Sequence, residues 1–261
     1  MRLDVYLVEN GLCRSRSRAA ALIRQGLVTV DGKPAAKPSF NVADGMSVAL
    51  TGDMRFVGRG GEKLQKAVEV FAIDLDGKTC VDVGASTGGF TDCMLRHGAA
   101  KVFAVDVGSG QLDASLAADS RVVNMENTNI RYLAPETVGR VDFAAADVSF
   151  ISLSHVLPVL GTLLKPDGFA VCLVKPQFEA GRESVGKRGI VRNPRVHERV
   201  LRDVIDRARG QGLYPVGLDF SPIKGGDGNV EYLLFLSPLA ERERAVDIIT
   251  TVKNAHDAHG V

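Results

Sequence analysis

The spacing of apolar residues divides the chain into a short N-terminal region and a long region of alternating strands and helices. In the N-terminal region, Leu3 and Leu7 mark a short helix, and the run RSRAAALIRQG predicts a second helix with Ser15 as its cap. The alternating run LVTVDGK and the run MSVAL then predict short strands joined by turns. We therefore expect a small α+β domain at residues 1–52 and a linker at residues 53–60.

The pattern changes after the linker, where apolar residues from Leu64 to Phe71 recur at helical spacing. Helices then alternate with five apolar runs that predict strands at residues 79–84, 101–107, 121–125, 141–147 and 169–175. Such alternation predicts a largely parallel, doubly wound sheet with its ligands at the carboxyl ends of the strands. Within the helical run SLSHVLPVLGTLLK, Pro158 predicts a kink or a break at Leu157.

The last two apolar runs, YPVGLDFSP and VEYLLFLSP, are separated only by IKGGDGN. A connection that short fits an antiparallel hairpin and is too short for a crossover helix. A parallel sheet that ends in an antiparallel pair resembles the class I S-adenosylmethionine (SAM) methyltransferases. We therefore expect an α/β fold with a Rossmann-like sheet and a terminal hairpin over residues 61–261.

Composition and charge narrow the class of protein. The chain has 261 residues, is 45% hydrophobic and carries a net charge of +1, so only local clusters of charge favour a polyanionic partner. Seven Lys/Arg face four Asp/Glu in residues 1–50, and eight face three in residues 175–202. The four cysteines are interpreted as buried apolar residues, His256 and His259 as solvated residues of a polar tail, and no metal site is expected. Without a signal sequence or an apolar span, the predicted location is cytoplasmic.

The loop DVGASTGGF follows the first strand of the large domain and raises the question of its ligand. It lacks the Gly-x-Gly-x-x-Gly of dinucleotide folds and the lysine of a Walker A loop. Small residues that open a helix fit a ligand with a carboxylate, such as SAM, whose ammonium Asp82 is expected to meet through water. Asp106 ends the next strand and is placed to bind ribose hydroxyls, and Glu126 or Asn127 is a candidate for the adenine pocket.

Four charged residues that are remote in sequence are predicted to converge on the same edge of the sheet. Asp147 and Lys175 end the fourth and fifth strands, Lys63 lies in the preceding helix, and Glu231 begins the last strand. Methylation of a ribose 2′-hydroxyl requires a base or an aligned oxygen, and a lysine serves when burial or a second cation lowers its pKa. Each residue also has a structural interpretation as a solvated or cross-strand side chain.

The order of these four residues around DVGASTGGF resembles the K-D-K-E tetrad of the FtsJ-like RNA 2′-O-methyltransferases. The runs RFVGRGGEKL, DVGSGQL, ADVSFISL, LVKPQFEAGRESVGKRGIVRNP and GNVEYLLFL resemble, over nearly the whole chain, the TlyA family of ribosomal RNA cytidine 2′-O-methyltransferases, also called hemolysins. The resemblance implies that Lys175 acts on the hydroxyl. It also implies SAM as cofactor and places the SAM loop on five residues: Gly84, Ser86, Gly88, Gly89 and Phe90. The chain departs from the family pattern at Phe56, Gly58 and Asn193.

The first fifty residues resemble an S4 RNA-binding domain through SRSRAAALIRQGLVTVDGK. Arginines on the second helix and nearby cations are expected to contact RNA phosphates, and a second basic cluster follows the catalytic strand. The candidates are Arg14, Arg16, Arg18, Arg24 and Lys33 in the first cluster and Lys187, Arg188, Arg192 and Arg195 in the second. The expected partner is ribosomal RNA in ribosomal subunits, 23S before 16S, with no membrane and no obligate protein partner.

Two other functions remain open at this stage. A base N-methyltransferase is one, because Asp147-Val-Ser-Phe faintly resembles the motif of amino-group methylators, although it lacks the prolines. A membrane-active hemolysin is the other, although the sequence offers no apolar span for a pore.

Overall fold

The chain forms two compact units, Met1–Arg59 and Gly60–Val261, and the predicted linker at residues 53–60 spans the boundary between them. The structure is a computed structural model that describes residues 1–13, 16–24, 26–35, 37–52, 55–186 and 189–261. Ser15, the predicted helix cap, lies outside the described residues.

The N-terminal unit has the α+β composition that the sequence predicts. Its two described helices and the strands at residues 28–30 and 48–50 pack on one apolar core that includes Leu3, Leu7, Leu22 and Val28. The strands pair antiparallel in the order β2-β1-β3. The elements are α1 (Leu3–Glu9), α2 (Arg16–Arg24), β1 (Val28–Val30), β2 (Lys33–Pro34) and β3 (Val48–Leu50).

The larger unit alternates helices and strands. Its helices are α3 (Gly60–Phe71), α4 (Gly89–Arg96), α5 (Ala114–Ala117), α6 (Pro135–Val138), α7 (Leu157–Leu163), α8 (Pro176–Glu179), α9 (Pro194–Arg209) and α10 (Ile248–His259). Its strands are β4 (Thr79–Val83), β5 (Lys101–Val105), β6 (Val122–Met125), β7 (Val141–Ala146), β8 (Leu164–Val174), β9 (Tyr214–Phe220) and β10 (Tyr232–Ser237). The break predicted before Pro158 is confirmed, because α7 begins at Leu157 with the proline in its first turn, where no amide donor is needed.

The seven strands form one sheet in the order β6-β5-β4-β7-β8-β10-β9. Strands β4 to β8 are parallel neighbours, while β10 pairs antiparallel with both β8 and β9. The predicted fold class, a Rossmann-like sheet with a terminal antiparallel hairpin, is confirmed. The main difference is β8, which begins at Leu164 rather than near residue 169.

The direction of each strand places the candidate residues at one edge of this sheet. Asp106, Asp147 and Lys175 each directly follow a parallel strand, one residue beyond the last paired position. Glu231 directly precedes β10, and Tyr232 pairs with Val174. Because β10 runs in the opposite direction, its start lies beside the end of β8.

The interpretation of the C-terminal residues as a polar tail was wrong. Asp247 caps α10 by accepting from the Thr250 amide, and the helix turns Val252 and Ala255 inward. His256 lies on the same buried face, with its Nε2 3.3 Å from Nδ1 of the buried His197 on α9. The amphipathic helix was missed because its buried face carries a histidine, which was taken as a polar residue. A histidine ring packs in a core when a partner hydrogen-bonds to its nitrogens.

Candidate active site

Lys63, Asp147, Lys175 and Glu231 form one continuous chain of alternating charges. The Nζ atom of Lys175 lies 2.6 Å from Oδ1 of Asp147, and Lys63 Nζ lies 3.3 Å from its Oδ2. Lys63 Nζ also lies 2.7 Å from Oε2 of Glu231. The structure therefore brings together all four residues that the sequence predicted to converge.

The four charged side chains are largely buried, and their two positive and two negative charges balance. Lys63 and Lys175 are each 7% exposed, and Glu231 is 2% exposed. Burial alone would raise the pKa of Asp147, but the two lysine charges and their hydrogen bonds outweigh it and lower the pKa. Burial would likewise lower the pKa of Lys63, but Asp147 and Glu231 outweigh it and raise the pKa. Lys63 is thus held as a cation between two carboxylates.

Lys175 has a further partner that sequence reasoning missed. Its Nζ donates to the hydroxyl of Ser149 over 2.8 Å, so Asp147 and Ser149 together fix the position of this nitrogen. The signal was present in Asp147-Val-Ser-Phe, the run that faintly resembles the motif of base methylators. Ser149 lies two residues after the strand-end acid and is exposed.

The glycine-rich loop between β4 and α4 is tightly built. Gly84 has φ +84°, and a Cβ there would lie 2.6 Å from the backbone oxygen of Asp147. Gly88 has φ +93° immediately before α4, and a Cβ there would clash with Leu116. Gly84 is therefore required by backbone conformation and by space, because its neighbour is backbone, whereas Gly88 is favoured by its positive φ. Exposed Ser86 adopts φ +49° at the tip, and Gly89 and Phe90 are buried at the start of α4.

Asp82 lies fully buried beneath this loop. Its Oδ2 accepts from the Thr91 amide over 2.9 Å and from the Thr91 hydroxyl over 2.7 Å. Its Oδ1 is buried and has no hydrogen-bond partner. Burial, only partly offset by the Thr91 hydrogen bonds, raises the pKa of Asp82 to about 7. A carboxylate oxygen in this state fits a cationic ligand group above the loop.

The other predicted cofactor residues lie at the same edge and hold loops together. Asp106 accepts from the Ser86 amide over 2.8 Å and from the Gly108 amide over 2.7 Å. Glu126 accepts from the Gln111 amide over 2.7 Å, and the backbone amides of the 110–112 segment lower the pKa of Glu126 to about 2. Asn127 is exposed with φ +57°. Contacts of Asp106 with ribose, and of Glu126 or Asn127 with adenine, stay predictions.

Comparison with known families decides the class of protein. The FtsJ-like methyltransferase family matches residues 56–237, and the S4 domain family matches residues 1–48. The chain belongs to the FtsJ-like methyltransferase family. The resemblance seen in the motifs is confirmed, and with it S-adenosylmethionine as the cofactor of this family.

Relatives of this FtsJ-like methyltransferase span nearly its whole length. The 16S/23S rRNA (cytidine-2′-O)-methyltransferase TlyA of Mycobacterium tuberculosis is 48% identical over 92% of this chain and 91% of its own. Hemolysin A of Brachyspira hyodysenteriae is 41% identical over 89% of this chain and 98% of its own. A Streptococcus thermophilus structure that bears a hemolysin name has a TM-score of 0.80 and 44% identity, covering 100% of this chain and 97% of that one. In the described ranges, no helix is long and apolar enough to cross a membrane.

The residues present fit SAM. The unpartnered Oδ1 of Asp82 suits its ammonium, and the amides that open α4 suit its carboxylate. The lack of side chains at Gly84 and Gly88 lets a ligand approach the backbone. When bound, SAM supplies an electrophilic methyl group at a sulfonium centre.

An open cavity beside Lys175 was not predicted from the sequence. Phe150 at its rim is 91% exposed and adopts φ +64°, a strained conformation for a bulky residue. Its ring lies 5.3 Å from that of Phe178, which lies 5.8 Å from Lys175 Nζ. The cavity has a volume of about 440 Å³ and is lined by Phe150, Ile151, Ser152, Gln177, Phe178, Gly181 and Val185.

Glu179 anchors the segment that carries Phe150. Its two carboxylate oxygens accept from the Ser152 hydroxyl and from the Leu153 amide, each over 2.7 Å. The aromatic side chain is thereby held out into solvent by a fixed backbone. An exposed, strained aromatic next to a buried charged centre is typical of a functional site.

The structure describes most, but not all, of the residues predicted to contact RNA. Arg16, Arg24, Lys33, Arg192 and Arg195 are exposed, and Arg18 is half-buried. Arg14, Lys187 and Arg188 lie outside the described residues.

Proposed function

We propose that this methyltransferase transfers a methyl group from SAM to the 2′-hydroxyl of a cytidine in ribosomal RNA, 23S first and 16S second. The observation that carries the proposal is the buried Lys-Asp-Lys-Glu chain at the strand ends, beside the glycine-rich loop. The 48% identity to a TlyA enzyme with this named activity supports the same substrate.

The proposed role of Lys175, in its neutral amine form, is to take the proton of the hydroxyl on its lone pair as the hydroxyl oxygen accepts the methyl group. Two of the three directions around its Nζ are used by Asp147 and Ser149, and the third is left for the substrate. Asp147 in turn is held by Lys63, and Lys63 by Glu231, so the reacting nitrogen is fixed by a rigid chain. Asp147 also stabilises positive charge on Lys175 after proton transfer.

The cavity at Phe150 is proposed to receive the target cytosine ring. A base flipped out of folded RNA would stack on the exposed Phe150 ring, with its ribose directed to Lys175. This arrangement supports the ribose as acceptor over the base amino group, because a lysine and a serine flank the reacting position. The proposed setting is RNA within a ribosomal subunit in the cytoplasm.

The test is methylation of unmodified ribosomal RNA by wild-type protein and by Lys175→Met, with Lys253→Met on the outer part of α10 as a matched loss of one lysine. Nucleoside digestion with mass spectrometry should find 2′-O-methylcytidine for wild type and Lys253→Met. Lys175→Met should be slower by about 10²- to 10⁴-fold with unchanged SAM affinity. A methylated base, or full activity without Lys175, would refute the proposal.

The hemolysin name of some relatives offers a competing function that the same variants separate. Leakage of dye from liposomes should not exceed background with the purified wild-type protein. Leakage that persists undiminished in Lys175→Met would instead support a membrane activity independent of methyl transfer.

A further inference from the structure

Asp4 is a buried acid in the domain proposed to bind RNA. It lies in the first turn of α1 and is 4% exposed. Its Oδ1 accepts from Arg2 Nε over 2.9 Å, and its Oδ2 accepts from Arg2 Nη2 over 3.0 Å. The same Oδ2 accepts from Arg16 Nη2 over 3.1 Å. One carboxylate therefore holds two guanidinium groups from two different helix starts.

The two arginines remain available to a further ligand. The side chains of Arg2 and Arg16 are 52% and 61% exposed, although each is tied at one end to the buried acid. A guanidinium has five N–H donors; Arg2 uses two of them on Asp4 and Arg16 uses one. Because both groups bind one carboxylate, their free donors lie side by side. Two adjacent guanidinium forks match the oxygens of a phosphodiester.

Asp4 stays ionised at near-neutral pH. Hydrogen bonds from Arg2, followed by those from Arg16, hold the pKa of Asp4 far below its usual range despite its burial. The three side chains therefore carry a net charge of one positive unit. Arg2 was not among the cations that the sequence indicated, because the contact joins residues 2, 4 and 16 across two elements.

We propose that Asp4 is a positioning residue for RNA: it holds Arg2 and Arg16 together as a paired clamp for the phosphodiester backbone. The inference rests on the proposed function and names the site on the N-terminal unit through which the RNA is held. An arginine without such a partner samples many rotamers, and ordering it on the RNA costs part of the binding free energy. Asp4 lowers this entropic cost because it orders both arginines before the RNA binds.

Removing the negative charge of Asp4 should change the RNA affinity in the direction opposite to a bulk electrostatic effect. If only bulk electrostatics mattered, replacing Asp4 with a neutral residue would strengthen binding to a polyanion. If Asp4 positions the clamp, the same replacement weakens binding although the domain becomes more positive. A matched control is Asp44→Asn, which removes one exposed acid from the same unit.

The experiment measures the affinity of the full-length protein for unmodified 23S ribosomal RNA made by transcription in vitro, at a fixed ionic strength. Asp4→Asn should bind about 5- to 30-fold more weakly than wild type, the equivalent of losing one or two strong contacts. Asp44→Asn should bind as tightly as wild type or more tightly. Equal or tighter binding by Asp4→Asn than by Asp44→Asn would overturn the inference.

A second set of variants separates positioning from loss of folding. Arg2→Ala and Arg16→Ala together should weaken RNA binding, and adding Asp4→Asn to that pair should weaken it no further. A further loss would mean that Asp4 acts on the folded state and would overturn the clamp. If wild type itself neither binds nor methylates the RNA, the proposed function fails; if wild type does both and Asp4→Asn matches Asp44→Asn, only the clamp fails.

Discussion

Asp82→Asn should stabilise the protein without cofactor at alkaline pH and weaken its affinity for SAM. The side chain is fully buried, its Oδ1 has no partner, and its pKa is raised to about 7. The folded state therefore binds a proton between about pH 4 and pH 7 that the unfolded state has released. By linkage, the stability from this proton is present at low pH and is lost as pH rises through 7.

The magnitude follows from the size of the pKa shift. Three units at about 1.4 kcal/mol each make the ionised Asp82 cost about 4 kcal/mol above pH 7. An asparagine keeps an oxygen that accepts from Thr91, but its NH₂ group takes the place of Oδ1 and has no partner. Burying that unpartnered group destabilises the variant by about 1 to 3 kcal/mol and offsets part of the gain. The net gain is about 1 to 3 kcal/mol at pH 8.5, or roughly 2 to 10 °C in Tm, and close to nothing at pH 5.

The assay is thermal unfolding of wild type and Asp82→Asn from pH 5 to pH 8.5, with Asp203→Asn on the exposed face of α9 as control. The difference in Tm between Asp82→Asn and wild type should grow with pH, while that of Asp203→Asn should stay constant. SAM titrations should show about 5- to 30-fold weaker binding for Asp82→Asn, since the ligand ammonium loses its carboxylate. Parallel Tm curves, or unchanged SAM affinity, would refute the reasoning.

Three further predictions test other parts of the site. Phe150→Ala should lower kcat/KM for RNA by about 5- to 150-fold, the value of one stacked base, with unchanged SAM affinity; Ile249→Ala, another exposed apolar residue, should have no effect. Gly84→Ala should lower the free energy of unfolding by at least about 1 to 3 kcal/mol and abolish SAM binding, whereas Gly212→Ala, also at positive φ but in open space, should leave SAM binding intact. Burial lowers the pKa of His197 to about 4, so stability is lost as pH falls from 6.5 to 4; urea midpoints should show His197→Gln losing less than wild type between pH 7 and pH 5, and equal losses would contradict this.

The convergence of the four charged residues was predictable because it follows from strand direction. Residues at the ends of parallel neighbours share an edge, and a short connection before the last strand brings Glu231 to the same edge. The sequence does not contain the pairing itself, such as Lys63 bridging Asp147 and Glu231. That pairing depends on where α3 packs and on which rotamers the buried side chains adopt.

The missed residues share a physical reason. Phe150 is exposed by a backbone turn with positive φ, which a phenylalanine does not predict, and Ser149 contacts a lysine 26 residues away in sequence. Asp4 acts through a contact between two helix starts, and His256 through a helix whose buried face carries polar letters. In each case the deciding feature is either a contact with a residue distant in sequence or an unusual backbone conformation. Hydrophobic periodicity predicts neither of these.

The position of β10 between β8 and β9 has a consequence for the order in which the protein matures during synthesis. When the chain up to residue 220 has left the ribosome, β8 still lacks its antiparallel neighbour, and Lys63 has only one of its two carboxylates. β10 is synthesised after β8 and β9 but lies between them in the sheet, so Glu231 reaches the site only when β10 pairs with both. A nascent chain of 220 residues thus holds the glycine-rich loop and both lysines, and Glu231 joins them only with the remaining 41 residues.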